Sequence, residues 1–336
     1  MATRPGRPGR VAYDRLIVTH VTARVPAKVN LQLAVGPQRG DGYHDLVTVF
    51  HAVSLFDEVT VRPADRTSVR VTGEDAEAVP AGRANLAVQA AAALARAAGP
   101  RRGPKPAVAI EIRKRIPMAA GLAGGSADAA ATLVACNELW QAGLSGPELS
   151  QVAAGVGSDV AFALLGGTAV GVGRGEQLTA ALAAGTYHWV LAFSAGGLST
   201  PEVYATCDRL RAARAASAAG PLRPPPSPPP QLSTALMAAL RSADPAAVGP
   251  QLSNDLQPAA LSLRPGLRRT LAAGRELGAI GAIVSGSGPT CAFLAADAPG
   301  ARELAVSLTG AGVCRAVARV HGPVPGAAII TGGERG

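Results

Sequence analysis

One segment of the chain has the composition of a phosphate-binding loop. Residues 117–127, PMAAGLAGGSA, lie between a predicted strand and a predicted helix. A glycine-rich turn that enters a helix presents unpaired backbone N–H groups and the positive end of the helix dipole to an anion. The segment is not a Walker A loop and does not match G-x-G-x-x-G. An ordinary strand–helix turn is the alternative, and Ser126 could cap the helix, contact a phosphate or help to hold Mg²⁺.

A lysine and an aspartate could carry out phosphoryl transfer next to such a loop. Lys28 is one of three lysines and lies in an otherwise apolar segment, and Asp159 precedes the apolar run VAFAL. If the two meet, Asp159 can accept or orient the proton of a substrate hydroxyl while Lys28 holds that hydroxyl and offsets negative charge. Asn30 shares the strand face of Lys28 and can reach the same ligand. The alternatives are a snorkelling lysine and a helix-capping carboxylate.

Four segments, in this order, resemble the GHMP kinases, which are named for galactose, homoserine, mevalonate and phosphomevalonate. They are Pro26–Leu31, Pro117–Ser126, Gly155–Asp159 and Ser285–Thr290. The resemblance covers residues 21–325 outside an insertion and implies an α+β fold of two domains, S5 domain 2-like and then ferredoxin-like, with the active site between them. It implies Lys28 and Asp159 as the catalytic pair, and ATP with Mg²⁺, for which Ser126 is the candidate ligand. The nucleotide-binding residues that it implies are Pro117, Met118, Ala119, Ala120, Gly121, Leu122, Ala123, Gly124, Gly125, Ser126 and Ala127.

A further segment, RGDGYHDL at 39–46, narrows the resemblance. It is similar to the substrate motif of those GHMP kinases that phosphorylate the 2-hydroxyl of 4-diphosphocytidyl-2-C-methyl-D-erythritol in the non-mevalonate isoprenoid pathway. Asn254–Leu256 and Ser199–Tyr204 also lie where that pattern places them. The resemblance implies that Tyr43 stacks on cytosine and His44 binds its edge; the residues alone are also compatible with a surface hairpin. The other implied substrate residues are Asn30, Thr200 and Tyr204, with Phe50 behind the pocket.

The chain departs from the family pattern in its glycine loop. Alanine occupies positions 119, 120 and 123, where glycine is frequent, and Ser158 stands where alanine is usual. Because a Cβ disfavours positive φ, we expect negative φ at the three alanines. Upstream, Arg113-Lys114-Arg115 could contact phosphate or form a solvated strand end.

Composition and charge restrict the alternatives. The net charge of +9 is scattered along the chain and aromatic residues make up only 3% of it, which disfavours nucleic-acid binding. Four widely spaced cysteines, no secretory signal and no credible membrane span predict a cytoplasmic protein with reduced thiols. The resemblance implies a small-molecule substrate. The rival functions are a sister kinase acting on homoserine or a mevalonate-type substrate, and a non-catalytic nucleotide- or nucleic-acid-binding protein. The oligomeric state stays open.

The elements follow from hydrophobic periodicity and stop signals. The 336 residues, 48% of them hydrophobic, predict two domains with sizeable cores. The predicted regions are a leader (1–20), an ATP-binding domain (21–170), a C-terminal domain (171–325) with an exposed polyproline-like insertion (211–230), and a tail (326–336). The principal predicted strands are Val21–Leu33, Val47–Val53, Glu58–Val71 and 108–112, and the helices are Asn85–Ala98, Ala127–Trp140, Pro147–Ala154, Gly266–Leu277 and Gly300–Thr309.

Overall fold

The structure is a computed structural model that describes residues 19–99, 106–219 and 229–330. Most of the predicted leader, the middle of the predicted insertion and residues 331–336 lie outside the described residues. The strands, numbered along the chain, are β1 (Val21–Gln38), β2 (His44–Ala64), β3 (Ser68–Gly73), β4 (Ala107–Lys114), β5 (Thr168–Gly173), β6 (Gln177–Ala180), β7 (Tyr187–Phe193), β8 (Ser253–Asn254), β9 (Gly281–Val284), β10 (Cys291–Ala295), β11 (Ala316–Gly322) and β12 (Ala328–Ile329). The α-helices are α1 (Leu86–Ala98), α2 (Gly124–Leu139), α3 (Gly146–Val156), α4 (Ser158–Leu165), α5 (Thr200–Ala219), α6 (Thr234–Ser242), α7 (Pro245–Val248), α8 (Gln257–Leu263), α9 (Gly266–Glu276) and α10 (Ala298–Gly310).

The first sheet is built on the long antiparallel pair of β1 and β2. Its order is β12-β1-β2-β4-β3, with β5 and β6 joined through β2 and the short β8 joined to β1. Along β1 the apolar side chains of Ala27, Val29 and Leu31 are buried in the main core, as the two-residue period requires. The alternate residues Lys28 and Asn30 are also buried. β1 therefore carries an apolar face and a buried polar face along the same stretch of chain.

The second sheet is four-stranded and antiparallel, in the order β11-β7-β10-β9. Along the chain β7 and α5 come first, the hairpin of β9 and β10 follows, and α10 and β11 end the unit. This order is that of a ferredoxin-like unit, so the predicted α+β class and C-terminal architecture are confirmed. Among the described residues no helix is long and apolar enough to cross a membrane.

Several predicted boundaries differ from the structure. The predicted division at residue 170 falls inside β5, because β5 and β6 continue the first sheet. The predicted tail contains β12, which pairs with β1. Residues 211–219 of the predicted polyproline-like insertion are helical, because the good helix formers in RAARAASAA extend α5 to Ala219. The two strands predicted between Val47 and Val71 are also wrong in extent, since β2 runs unbroken to Ala64 and bulges against β1.

A buried ion cluster fastens the strand before the glycine loop to the helix after it. Lys114, at the end of β4, donates to Asp57 of β2 at 2.5 Å and to Asp128 of α2 at 2.8 Å. The other oxygen of Asp57 accepts the backbone N–H groups of Arg115 and Ile116. Lys114 is therefore engaged in the core and is not a phosphate contact. The strand end formed by residues 113–115 is only partly solvated, because Lys114 is buried.

The cluster has two carboxylates for one cation. Burial lowers the pKa of Lys114, but Asp128 and Asp57 together outweigh it, so its pKa is raised and the ammonium stays charged. Burial and the repulsion of Asp57 raise the pKa of Asp128 to about 7, although the attraction of Lys114 acts in the opposite direction. The charge of Lys114 is therefore essential to the cluster, since without it two carboxylates would face each other in the core.

We expect Lys114→Met to lower the free energy of unfolding by about 3–5 kcal/mol. The substitution retains an apolar side chain of similar length but leaves the two buried carboxylates without their cation. Urea unfolding monitored by circular dichroism measures the loss. Arg113→Met is the matched control: its side chain is 63% exposed, and the substitution should cost less than about 0.5 kcal/mol. A loss at Lys114 no larger than at Arg113 would contradict a stabilising role for the cluster.

Candidate active site

The glycine loop (residues 117–127) opens α2 toward a cavity. α2 begins at Gly124, earlier than predicted, and no side chain caps its first turn. Its first N–H groups therefore remain available to an anion. Ser126 is the third residue of the helix and lines the cavity, so it does not act as the helix cap. Three members of the loop that were expected to bind the nucleotide, Pro117, Leu122 and Ala127, are buried and lie outside the cavity wall.

Two alanines of the glycine loop adopt the conformation that the sequence argued against. The φ angles are +47° at Ala119 and +60° at Ala123, so the expectation of negative φ is wrong at both. A residue with a Cβ in this region costs about 1–3 kcal/mol. The loop is held there by tertiary bonds, since the carbonyls of Ala119, Ala120 and Leu122 accept N–H groups from Leu198, Thr290 and Lys28 respectively.

The turn between β9 and β10 closes over the glycine loop. Gly121 lies so near this turn that a Cβ would collide with the carbonyl oxygen of Ser285, whose hydroxyl donates to the Gly121 carbonyl at 3.1 Å. The amide of Asn254 donates to the carbonyls of Val284 and Gly286, both at 2.7 Å. Two motifs that are far apart in sequence thereby shape one wall of the site.

Lys28 lies at the floor of the cavity, 7% exposed. Its ammonium donates to Asn30 Oδ1 at 2.7 Å and lies 5.7 Å from the centre of the Phe50 ring. Asn30 in turn donates to the Thr48 hydroxyl at 2.8 Å. Asn30 therefore lines the cavity and at the same time orients Lys28, a role that its place on the strand face had not indicated.

Asp159 faces Lys28 from the first turn of α4. No side chain caps that helix, so the carboxylate is not a cap, and its Oδ2 lies 3.7 Å from the Lys28 nitrogen. That distance is too long for a direct hydrogen bond and leaves both groups able to contact an inserted hydroxyl. An acidic side chain in the first turn of α4 interacts favourably with the positive end of that helix.

Lys28, Asp159 and most of the glycine loop line one cavity of about 310 Å³. Thr200 and Tyr204 of α5 also line it, and the hydroxyls of Thr200 and Ser287 lie 2.9 Å apart. Burial, and next the Asp159 carboxylate, raise the pKa of Tyr204, so its phenol keeps its proton. We call this space the first cavity.

A second cavity of about 640 Å³ lies beside the first and holds the predicted base-binding residues. Tyr43 is 55% exposed at its rim, His44 is buried, and the rings of His44 and Tyr204 are 5.0 Å apart. Leu46, Arg174, Thr200 and Tyr204 line both cavities.

Asp208 is a neighbour of His44 that the sequence analysis missed. His44 Nε2 lies 3.1 Å from both carboxylate oxygens of Asp208, which follows Tyr204 by one helical turn on α5. Because a carboxylate only accepts, Nε2 carries the proton, and in the neutral imidazole Nδ1 is left as an acceptor. The available signal was the spacing of Tyr204 and Asp208, which places two polar side chains one turn apart if the segment is helical.

Among the described residues no group of three or more His, Cys, Asp or Glu side chains could hold a metal ion. His51 is fully buried, and burial lowers its pKa to about 3 despite a backbone hydrogen bond with Gly322. It is a neutral core residue that contacts Thr168 at 2.8 Å.

Comparison with known proteins assigns the chain to a family. Residues 85–167 match the GHMP kinases N terminal domain, and residues 236–313 match the GHMP kinases C terminal domain. A 4-diphosphocytidyl-2-C-methyl-D-erythritol kinase of Mycolicibacterium smegmatis is 55% identical over 326 residues, which cover 97% of this chain and 97% of the relative. The chain belongs to the GHMP kinase family. It is therefore an ATP-dependent small-molecule kinase, and the alternative of a non-catalytic binding protein falls away.

Further relatives of this GHMP kinase support the same family assignment. The relative of the same name from Thermobifida fusca is 54% identical, with 93% of this chain and 99% of that protein covered. The crystal structure of a 4-(cytidine 5'-diphospho)-2C-methyl-D-erythritol kinase is 34% identical with a TM-score of 0.67, covering 89% of this chain and 98% of that one. A homoserine kinase from Cytophaga hutchinsonii has a TM-score of 0.70 at 20% identity, covering 95% and 99%, and shows the shared fold alone.

We expect Asp159→Asn to lower the kcat of this GHMP kinase by about 10²–10⁴-fold, because the substitution keeps the shape but removes the negative charge and the proton acceptor. ADP release at saturating substrates measures it. Asp65→Asn, at an exposed carboxylate on the surface, is the control and should leave kcat unchanged. A kcat within a few-fold of the unsubstituted enzyme would make Asp159 a structural residue.

Proposed function

We propose that this GHMP kinase transfers the γ-phosphoryl group of ATP to the 2-hydroxyl of 4-diphosphocytidyl-2-C-methyl-D-erythritol, in the non-mevalonate route to isoprenoid precursors. The observation that carries the proposal is the pair of adjoining cavities. One is lined by Lys28, Asp159 and the glycine loop, and the other by aromatic residues suited to a nucleobase. The relatives that share more than half of its residues bear the name of this activity.

In the proposed reaction, the 2-hydroxyl lies between Lys28 and Asp159. Asp159 accepts or orients the hydroxyl proton, and the ammonium of Lys28 holds the oxygen and offsets the negative charge that develops. The uncapped first turn of α2 receives the nucleotide phosphates. Asn30, through its bond to Thr48, keeps the Lys28 ammonium directed at the reacting oxygen.

The residues of the first cavity fit a magnesium ion that arrives with the nucleotide. Mg²⁺ usually takes one or two protein oxygens and completes its shell with phosphates and water. The hydroxyl of Ser126 and the carboxylate of Asp159 are oxygen donors in the wall of this cavity. Ser126 would hold the ion, which when bound supplies charge neutralisation at the phosphates.

The second cavity favours the cytidine-bearing substrate over homoserine or a mevalonate-type substrate. Tyr43 and Tyr204 can stack on a base, and His44 can hydrogen-bond its edge. A small acyclic substrate needs only the first cavity and leaves these aromatic residues without a role. The cytoplasmic location and the lack of a nucleic-acid partner stay predictions from the sequence.

We expect recognition to depend on the cytidine end. 2-C-methyl-D-erythritol 4-phosphate, which lacks cytidine, should be a very poor substrate, because remote binding energy positions the reacting hydroxyl. Tyr43→Ala should lower kcat/KM for the full substrate by about 10–100-fold and leave the KM for ATP unchanged. Steady-state kinetics measure both. Equal use of the truncated compound, or preference for homoserine or mevalonate, would overturn the proposed substrate.

Asp208→Asn tests the positioning of His44. An amide can donate to Nε2 as well as accept from it, so the His44 tautomer is no longer imposed. We expect a roughly 10-fold rise in KM for the cytidine substrate with little change in kcat, and a reduced preference for cytidine over uridine in binding assays. Asp208→Ala should show the same loss. Unchanged cytidine preference in both variants would mean that Asp208 only supports the fold.

A further inference from the structure

Four side chains line both cavities, and we call the space between them the passage. One of the four is permanently charged. Of the four side chains that line both cavities, Leu46, Thr200 and Tyr204 are uncharged at neutral pH, and Arg174 is a cation. Thr200 is the first residue of α5, so the positive end of that helix lies at the same junction. The electrostatic character of the passage therefore suits an anion.

Arg174 is held in place without being neutralised. It lies in the tight turn between β5 and β6, where its backbone N–H donates to Glu176 at 2.7 Å. Its guanidinium lies 5.3 Å from the centre of the Tyr43 ring. The nearest carboxylate contact is a 4.0 Å pair with Glu176, and at 46% side-chain exposure such a pair is weak.

The acidic residues of the two cavities do not compete for Arg174. Asp159 faces Lys28 and Asp208 faces His44. Within the described part of the chain, the Arg174 guanidinium donates no side-chain hydrogen bond, so its planar set of N–H donors is available to a ligand. Such a set matches the oxygens of a phosphate, which it can contact through two bonds at once.

The substrate supplies an anion at this place. In 4-diphosphocytidyl-2-C-methyl-D-erythritol a diphosphate joins the cytidine to the methylerythritol. With the base in the second cavity and the 2-hydroxyl in the first, the diphosphate must cross the passage. We propose that Arg174 binds this diphosphate with its guanidinium while stacked on Tyr43, and so couples base recognition to placement of the hydroxyl. The inference rests on the proposed function.

Calorimetry with cytidine and with CDP separates this role from base stacking. The nucleotide site is first filled with Mg²⁺ and a non-hydrolysable ATP analogue, so that CDP reports on the substrate site. The unsubstituted enzyme should bind CDP more tightly than cytidine. In Arg174→Ala the preference for CDP should fall by about 10–100-fold, since charge-assisted hydrogen bonds to phosphate are lost. Using the ratio removes any effect of the lost contact with Tyr43 on the base itself.

Two further variants sharpen the test. Arg174→Lys keeps the charge without the planar donors and should retain part of the CDP preference. Arg62→Ala is the matched control, because Arg62 is 48% exposed and lies outside both cavities. In kinetics, Arg174→Ala should raise the KM for the full substrate and leave the KM for ATP unchanged.

The outcomes distinguish the inference from the function on which it rests. An unchanged ratio of CDP to cytidine affinity in Arg174→Ala, with both ligands still bound, overturns the role of Arg174 and leaves the proposed function standing. Failure of the unsubstituted enzyme to bind either cytidine or CDP overturns the proposed function itself.

Discussion

The proposed reaction centre depends on one buried ammonium group, that of Lys28, which is 7% exposed. An isolated buried cation costs several kcal/mol, so Lys28 requires partners that stabilise its charge. Asn30, Asp159 and the Phe50 ring provide them, and they belong to two strands and a helix. A slip of one residue in the pairing of β1 with β2 would turn Lys28 and Asn30 into the apolar core. The register of this one strand pair thus determines whether the reaction centre exists.

The proposed phosphate site is formed by both halves of the molecule. The glycine loop belongs to the first half, but its carbonyls accept N–H groups from Leu198 and Thr290 of the second. Two alanines remain in a strained conformation because these bonds and the packing of Gly121 on the Ser285 turn leave the loop no alternative. The conformation of the glycine loop at the proposed phosphate site therefore depends on contacts between the two halves. The sequence of the loop alone does not determine it.

How much could be predicted from the sequence depends on how far apart the interacting residues lie along the chain. The α+β class, the helix after the glycine loop, and Lys28 with Asn30 on one strand face follow from local pattern. Ala119 and Ala123 were mispredicted because tertiary bonds override local preference. The partners of Lys114 and His44 lie far away along the chain, Asp57 at 57 positions and Asp208 at 164, which no periodicity encodes. Arg174 was missed because a chain with many scattered arginines gives no reason to single one out.

The closing of the first sheet has a consequence for synthesis on the ribosome. Ala23 and Arg24, near the start of β1, pair with Ile329 and Ala328 of β12, and Leu33 of β1 lies beside Asn254 of β8. During synthesis β1 is made before β8 and β12, so one of its edges stays exposed until both of these strands are available. An exposed strand edge is prone to pairing with other chains. The order of translation thus leaves β1, the first strand of the described residues and the one that carries Lys28, with an incompletely paired edge until β12 is made.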